Sequence, residues 1–283
     1  MFIEPIFKIN SAIKVTRLVF RANFLIILLL VAAPKLLVAQ ILNVDRTAGN
    51  DTTPKRFRTV IALAASADKQ KKDLVDVSSS ADLTCRLSHK IVGVFKLSTD
   101  LTTNGEDVIQ NAGFMHLRFR DDNARKLYPE TFGQYQWNGV LGMEQRILGG
   151  VNLRWLAADK ESNSMVVGIG LMYEHEKWNF NGVPDIQNAD TLPVQTADNF
   201  RVNQYVKWSY RVASNTDFVL ANFIQCAAAD FSKTRIASNV AINFRFFKWL
   251  GFSVNYDSVY DFKPVVPISK YYYALKGQLN FEF

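Results

Sequence analysis

From residue 40 onward, apolar and polar residues alternate with a period of two, in runs of about ten separated by polar turns. The final run is the clearest. Positions 271, 273, 275, 277, 279, 281 and 283 read Tyr, Tyr, Leu, Gly, Leu, Phe and Phe, while the positions between them read Tyr, Ala, Lys, Gln, Asn and Glu. In a strand these two sets point to opposite faces, one apolar with aromatic ends and one mostly polar. Val202, Gln204, Val206, Trp208 and Tyr210 repeat the pattern against Arg201, Asn203, Tyr205 and Lys207. Ile147, Gly149, Val151, Leu153 and Trp155 repeat it against Arg146, Asn152 and Arg154. Applied along the chain, the template predicts about twelve strands. They fall near 55–66, 72–86, 90–99, 107–120, 129–138, 142–157, 164–178, 200–212, 216–227, 235–247, 249–260 and 270–283. No later segment carries a sustained helical period. The pattern predicts an all-β fold, a closed antiparallel transmembrane β-barrel with short turns at one end and the longest connection, 179–199, at the other.

The start of the chain reads differently. Lys14, Arg17 and Arg21 precede the apolar run ANFLIILLLVAA at 22–33, and Leu-Leu-Val-Ala-Gln follows Lys35. This predicts a secretory signal peptide over 1–39, cleaved after Ala39, then a short segment over 40–54 and the barrel over 55–283. The apolar core is shorter than the roughly 20 residues of a spanning helix. The leader carries Lys8, Lys14, Arg17, Arg21 and Lys35 against Glu4, so +4 of the formal +7 leaves with it and +3 remains. No basic block survives, which argues against nucleic acid as a partner. Cys85 and Cys226 fit no metal or redox spacing, and their placement on distant strands predicts free thiols.

Alternation alone also fits a secreted soluble barrel binding a small apolar ligand. Export, long apolar faces ending in aromatics, and Phe283 closing an apolar-faced strand favour lipid outside the barrel. On that reading the polar face lines the lumen, and Arg118, Arg120, Arg146, Arg154, Glu174, Glu176, Arg201, Lys207 and Arg245 form a structural charge network. Glu174 and Glu176 are expected to pair with Arg146 and Arg154 on the preceding strand.

The closing strand resembles the terminal signal that the barrel assembly machinery of the outer membrane recognises, with Tyr273, Gly277, Leu279, Phe281 and Phe283 at the matching positions. A wider resemblance covers 131–178, through FGQYQWN (132–138), QRILGGVNLRW (145–155) and VGIGLMYEHEKW (167–178). This stretch is similar to the family of salt-induced outer membrane proteins, whose function is unknown. The resemblance implies an outer-membrane barrel with a role in osmotic or salt stress, and brings no catalytic residues.

Enzymatic chemistry finds little footing. An outer-membrane lipid hydrolase would need a Ser-His pair on the barrel surface. His89, next to Ser88, falls in a predicted turn; His116 falls in the lumen and His175 at an interface. There is no GxSxG. Glu174 and Glu176 share a face but read as ion-pair partners rather than as an acid–base couple. Asp185, Asp190 and Asp198 keep a long loop solvated, and no cofactor or metal is implied. The expectation is a non-enzymatic bacterial outer-membrane barrel, structural or passive-transport-like, with outer-membrane lipids and the assembly machinery as partners.

Overall fold

The computed structural model describes residues 57–69, 72–88, 90–121, 126–160, 162–186 and 191–283. The expected signal peptide, the segment 40–54, His89 and Asp190 lie outside the described residues. Twelve strands run in chain order: β1 (Phe57–Lys69), β2 (Asp73–Arg86), β3 (Ile91–Asn104), β4 (Asp107–Asp121), β5 (Leu127–Asn138), β6 (Met143–Lys160), β7 (Asn163–Trp178), β8 (Gln195–Ala213), β9 (Thr216–Ala227), β10 (Asp230–Arg245), β11 (Leu250–Asp261) and β12 (Tyr271–Glu282). Each pairs antiparallel with its sequence neighbours, and β1 pairs with β12 to close the barrel. The strand count and closure match the pattern-based expectation.

Three strands outrun their predicted ends by five residues. β3 continues to Asn104, β8 begins at Gln195 and β10 begins at Asp230. These extensions are mostly polar, so no sustained apolar alternation marks them. Neighbouring strands hold them instead, as in Leu74 opposite Asn104 and His175 opposite Asp198.

Phe57 and Phe283 lie at the same end, where Thr59 and Phe283 exchange backbone hydrogen bonds at 3.1 and 2.9 Å. We call this end proximal. Strand order then places the connections after β2, β4, β6, β8 and β10 at the proximal end, all of them short, and the long β7–β8 connection at the distal end.

The barrel is polar inside and apolar outside. On β7 the inward positions include Glu174 and Glu176, both fully buried, whereas Ile169 and Leu171 on the opposite face are 54% and 62% exposed. Val151, Leu153 and Trp155 on β6, and Leu275 and Leu279 on β12, are likewise exposed. Aromatic side chains gather near both ends of the outward face. Tyr173 and Phe200 stand distally, and Trp208, Tyr210, Phe247 and Trp249 proximally. A soluble barrel would have the opposite polarity. An apolar exterior flanked by aromatic belts is suited to the hydrocarbon core and interfaces of a bilayer, and closure pairs strand edges that lipid cannot hydrogen-bond. Among the described residues no helix is long and apolar enough to cross a membrane.

Candidate functional site

The lumen is crossed by two layers of charge. The distal layer is built on Glu174, whose strand parity on β7 aims it at the barrel axis. Arg146 on β6 donates from Nε to Glu174 Oε1 at 2.6 Å, and Arg201 on β8 pairs with the other carboxylate oxygen. Arg235 on β10 reaches across the lumen to Glu174 Oε1 at 3.0 Å and to Glu176 Oε1 at 3.0 Å, and bonds Asp261 Oδ2 on neighbouring β11 at 2.8 Å. Gln136 and Gln225 accept further guanidinium protons from Arg146 at 3.2 and 3.1 Å. Three guanidinium groups thus face three carboxylates from five strands. The planar fork of arginine suits this, because each one can bond two or three acceptors at fixed angles.

The second layer lies nearer the proximal end and centres on Glu130 of β5. Tyr205 donates its hydroxyl to Glu130 Oε1 at 2.7 Å, and Asn152 donates to the same oxygen at 2.8 Å. Arg154 and Arg118 approach Oε2 at 3.5 and 3.8 Å. A third group, on the β1–β3 and β12 side, joins Lys96 to Asp82 at 3.0 Å and Lys276 to Asp100 at 2.7 Å.

The sequence-predicted network residues are therefore partitioned. Arg146, Glu174, Glu176 and Arg201 meet in the distal layer, while Arg118 and Arg154 belong to the second. Arg120 and Lys207 are buried on inward positions. Two expectations need correcting. Arg154 does not pair with Glu174 or Glu176. It sits eight residues further along β6 than Arg146, some 26 Å at the rise of a strand, and pairs with Glu130 instead. Arg245 stands at the proximal rim, exposed, 3.4 Å from Asp217, apart from the buried layers. Sequence reasoning missed Glu130, Arg235, Asp261 and Tyr205. Extending the inward parity of Gln134 and Gln136 back to Glu130, and that of Ala237 and Asn239 back to Arg235, would have found two of them.

Above the distal layer, apolar side chains gather at the mouth beside a recess that reaches Arg146 and Arg235. The β11–β12 connection folds inward and buries Val266 and Ile268 against Met143 and Trp178, joined by Leu141, Phe180 and Val183. The 3-10 turn at Gly139–Leu141 (η1) is held by a left-handed Gly142, whose carbonyl accepts from Asn179 N at 2.8 Å. Gly182 packs so closely on the backbone of Leu141 that a Cβ there would lie 2.3 Å from its carbonyl carbon. The proximal end holds a second recess, bounded by Arg58, Ala62, Ser80, Asp217, Arg245 and Trp249.

The two described histidines, His116 and His175, lie on opposite faces of the barrel wall. His116 is buried in the lumen, with Nδ1 3.0 Å from Gln134 Oε1 and its ring stacked on Phe132. His175 lies on the outward face, 2.9 Å from Asp198, but the other group on that carboxylate oxygen is the Tyr173 hydroxyl. Cys85 and Cys226 are free thiols, on β2 and β9.

A family model described as "Protein of unknown function, DUF481" matches residues 61–268, nearly the whole barrel and well beyond the stretch that carries the sequence resemblance. The chain belongs to this family. Among curated proteins no sequence matches it. Similar solved structures include the translocator domain of the autotransporter NalP from Neisseria meningitidis, at 10% identity and TM-score 0.47, covering 82% of this chain and 90% of that one. The NanC porin aligns at 8% identity and TM-score 0.42, covering 80% of this chain and 97% of that one. OmpT, an outer membrane protein of Vibrio cholerae, aligns at 10% identity and TM-score 0.30, covering 87% and 100%.

Proposed function

We propose that this protein is a non-enzymatic barrel of the bacterial outer membrane, with a structural or passive-transport-like role and a lumen closed to bulk ion flow. The observation that carries this reading is the distal half of the lumen. The Arg146–Glu174–Arg235–Glu176 layer spans it below an apolar plug built on Val266 and Ile268. Mutually bonded charges of both signs crowd the axis and favour neither cations nor anions. The outer-membrane location is supported by the inverted polarity of the barrel. Contact with outer-membrane lipids is supported by its exposed leucines, isoleucines and aromatics. Assembly through the outward row Tyr273, Gly277, Leu279 and Phe281 of β12 fits the same picture. A role in salt or osmotic stress would then be mechanical or barrier-like.

Refolding into lipid vesicles followed by planar-bilayer recording tests the reading. The folded protein is expected to migrate differently on gels before and after boiling and to show no sustained ion conductance. A steady open-channel current, or turnover of phospholipid by the folded protein, would overturn it.

A further inference from the structure

Lipid contact asks for an apolar outer wall, and a carboxamide on β8 departs from that at mid-depth. Strand parity puts Phe200, Val202, Gln204, Val206 and Trp208 on the outward face of β8, opposite the buried Arg201, Asn203, Tyr205 and Lys207. Phe200 stands in the distal aromatic belt and Trp208 in the proximal one. Gln204 is exposed. It lies four positions from each of them, about 13 Å along the strand. Its Cα partners are Ile169 on β7 and Ile224 on β9, both on the outward face. Val202 and Val206 flank it on β8 itself, so aliphatic side chains surround the amide.

A glutamine side chain carries two N–H donors and a carbonyl acceptor, and hydrocarbon answers none of them. Two other outward polar pairs are satisfied within the wall. Asn222 on β9 donates to the Ser238 hydroxyl on β10 at 2.6 Å, and the Ser79 and Thr99 hydroxyls share a hydrogen bond at 2.8 Å. The Gln204 amide bonds no group among the described residues. Two apolar walls gain little by meeting in lipid, because acyl chains are as apolar as they are, so a polar group that finds a partner favours association. Copies of a barrel inserted in one orientation are related by an axis along the membrane normal, which keeps every residue at its own depth. A residue beside a two-fold axis therefore meets its own counterpart. A carboxamide suits that position, since each of two can donate an N–H to the oxygen of the other.

We infer that the outer wall of β7–β9 is an interface with a second copy of this chain in the plane of the membrane, centred on reciprocal hydrogen bonds between the two Gln204 carboxamides. Ile169, Val202, Val206 and Ile224 carry no charge and pack around the amide pair, keeping lipid from it. Ile169 and Leu171 on the β7 side are among the exposed apolar residues of the wall, at 54% and 62%. The inference rests on the membrane reading above.

Two measurements on the full-length protein in phosphatidylcholine vesicles test it, with Cys85 and Cys226 replaced by alanine. The first attaches donor and acceptor dyes at Ser214→Cys, in the β8–β9 turn, and follows energy transfer as lipid dilutes the protein. Transfer is expected to report a dimer. Gln204→Leu should weaken that dimer about tenfold, the effect of losing one or two hydrogen bonds, while flotation and heat-modifiable migration stay unchanged. Gln204→Asn, which keeps the carboxamide, should fall between the two. The second measurement compares bismaleimide cross-linking of Ile224→Cys with that of Met115→Cys, an outward position on β4, five strands away around the barrel. A covalent dimer is expected from Ile224→Cys and not from Met115→Cys. Transfer no greater than random encounter gives, a dimer indifferent to Gln204→Leu, or equal cross-linking at the two sites would overturn the interface. Protein that floats with the vesicles as a monomer sinks the interface alone, whereas protein that fails to float sinks the membrane reading and the interface with it.

Discussion

Lys276 on β12 donates to both carboxylate oxygens of Asp100 on β3, each at 2.7 Å, although β1 and β2 lie between those strands in the barrel. The span is possible because the wall between them is lined by small inward residues, Ala62, Ala64, Ser78 and Ser80. Ser78 adds a hydroxyl hydrogen bond to Asp100 Oδ1 at 2.5 Å. Both charged side chains are almost fully buried. Asp100→Asn should therefore strand a buried ammonium and lower stability by about 3–5 kcal/mol. A urea titration of the refolded barrel should show the midpoint fall. Adding Lys276→Met together with Asp100→Leu should recover most of the loss, because an apolar pair of similar volume removes the unpaired charge. Equal instability of the single and double variants would contradict the pairing.

Glu174 and Glu176 share a strand face but not a role. Glu174 is bonded by Arg146, Arg201 and Arg235, whereas Glu176 receives a hydrogen bond from Arg235 at 3.0 Å and sits 3.4 Å from Arg146. Glu174→Gln should cost about 3–5 kcal/mol by leaving three guanidinium groups short of a counter-charge. Glu176→Gln should cost about 1–3 kcal/mol. Thermal loss of the compact gel form ranks the two, and comparable losses would show that the layer is not centred on Glu174.

Glycines on the inward face of β7 make room for neighbours. A Cβ on Gly168 would lie 2.1 Å from the ring of Tyr205, so Gly168→Ala must displace that ring and loosen its 2.7 Å bond to Glu130. A Cβ on Gly170 would lie 2.0 Å from the backbone oxygen of Val151, which no rotamer change relieves. Gly170→Ala should reduce stability by about 1–3 kcal/mol or more. Gly133→Ala, where the nearest atom is 4.0 Å away, should leave it unchanged. Denaturant midpoints of the three variants give the order.

The distal plug makes the proposed closure testable. Val266 and Ile268 are buried on Met143 and Trp178. Replacing both with aspartate puts two unpaired carboxylates into an apolar cluster and should drive the connection out of the mouth. Brief conductance events are then expected in planar bilayers where the unmodified protein shows none. A silent trace from a folded variant would assign closure to the charge layers alone.

Much of this molecule was legible in its residues. The period-2 alternation marked the twelve strands and placed Arg118, Arg146, Glu174 and Arg201 on the polar face of theirs, because a side chain's face follows from its position along a strand, while export and the aromatic ends were needed to turn that face inward. Parity says nothing about height. Arg146 and Arg154 share a face of β6, yet only the register with neighbouring strands showed that Arg146 meets Glu174 while Arg154 meets Glu130. Asp261 and Arg235 lie 26 residues apart in sequence and come together because β10 and β11 are paired. The mostly polar ends of β3 and β8, the inward fold of the β11–β12 connection and the β1–β12 seam left no periodic mark. Each is set by partners distant in the chain: hydrogen-bonded neighbours for the strand ends, Met143 and Trp178 for the plug, and for the seam a ladder between the first and last strands that sets Val60 opposite Glu282 and Leu63 opposite Leu279. Local alternation fixes which way a residue points, and only closure of the barrel decides what it meets there.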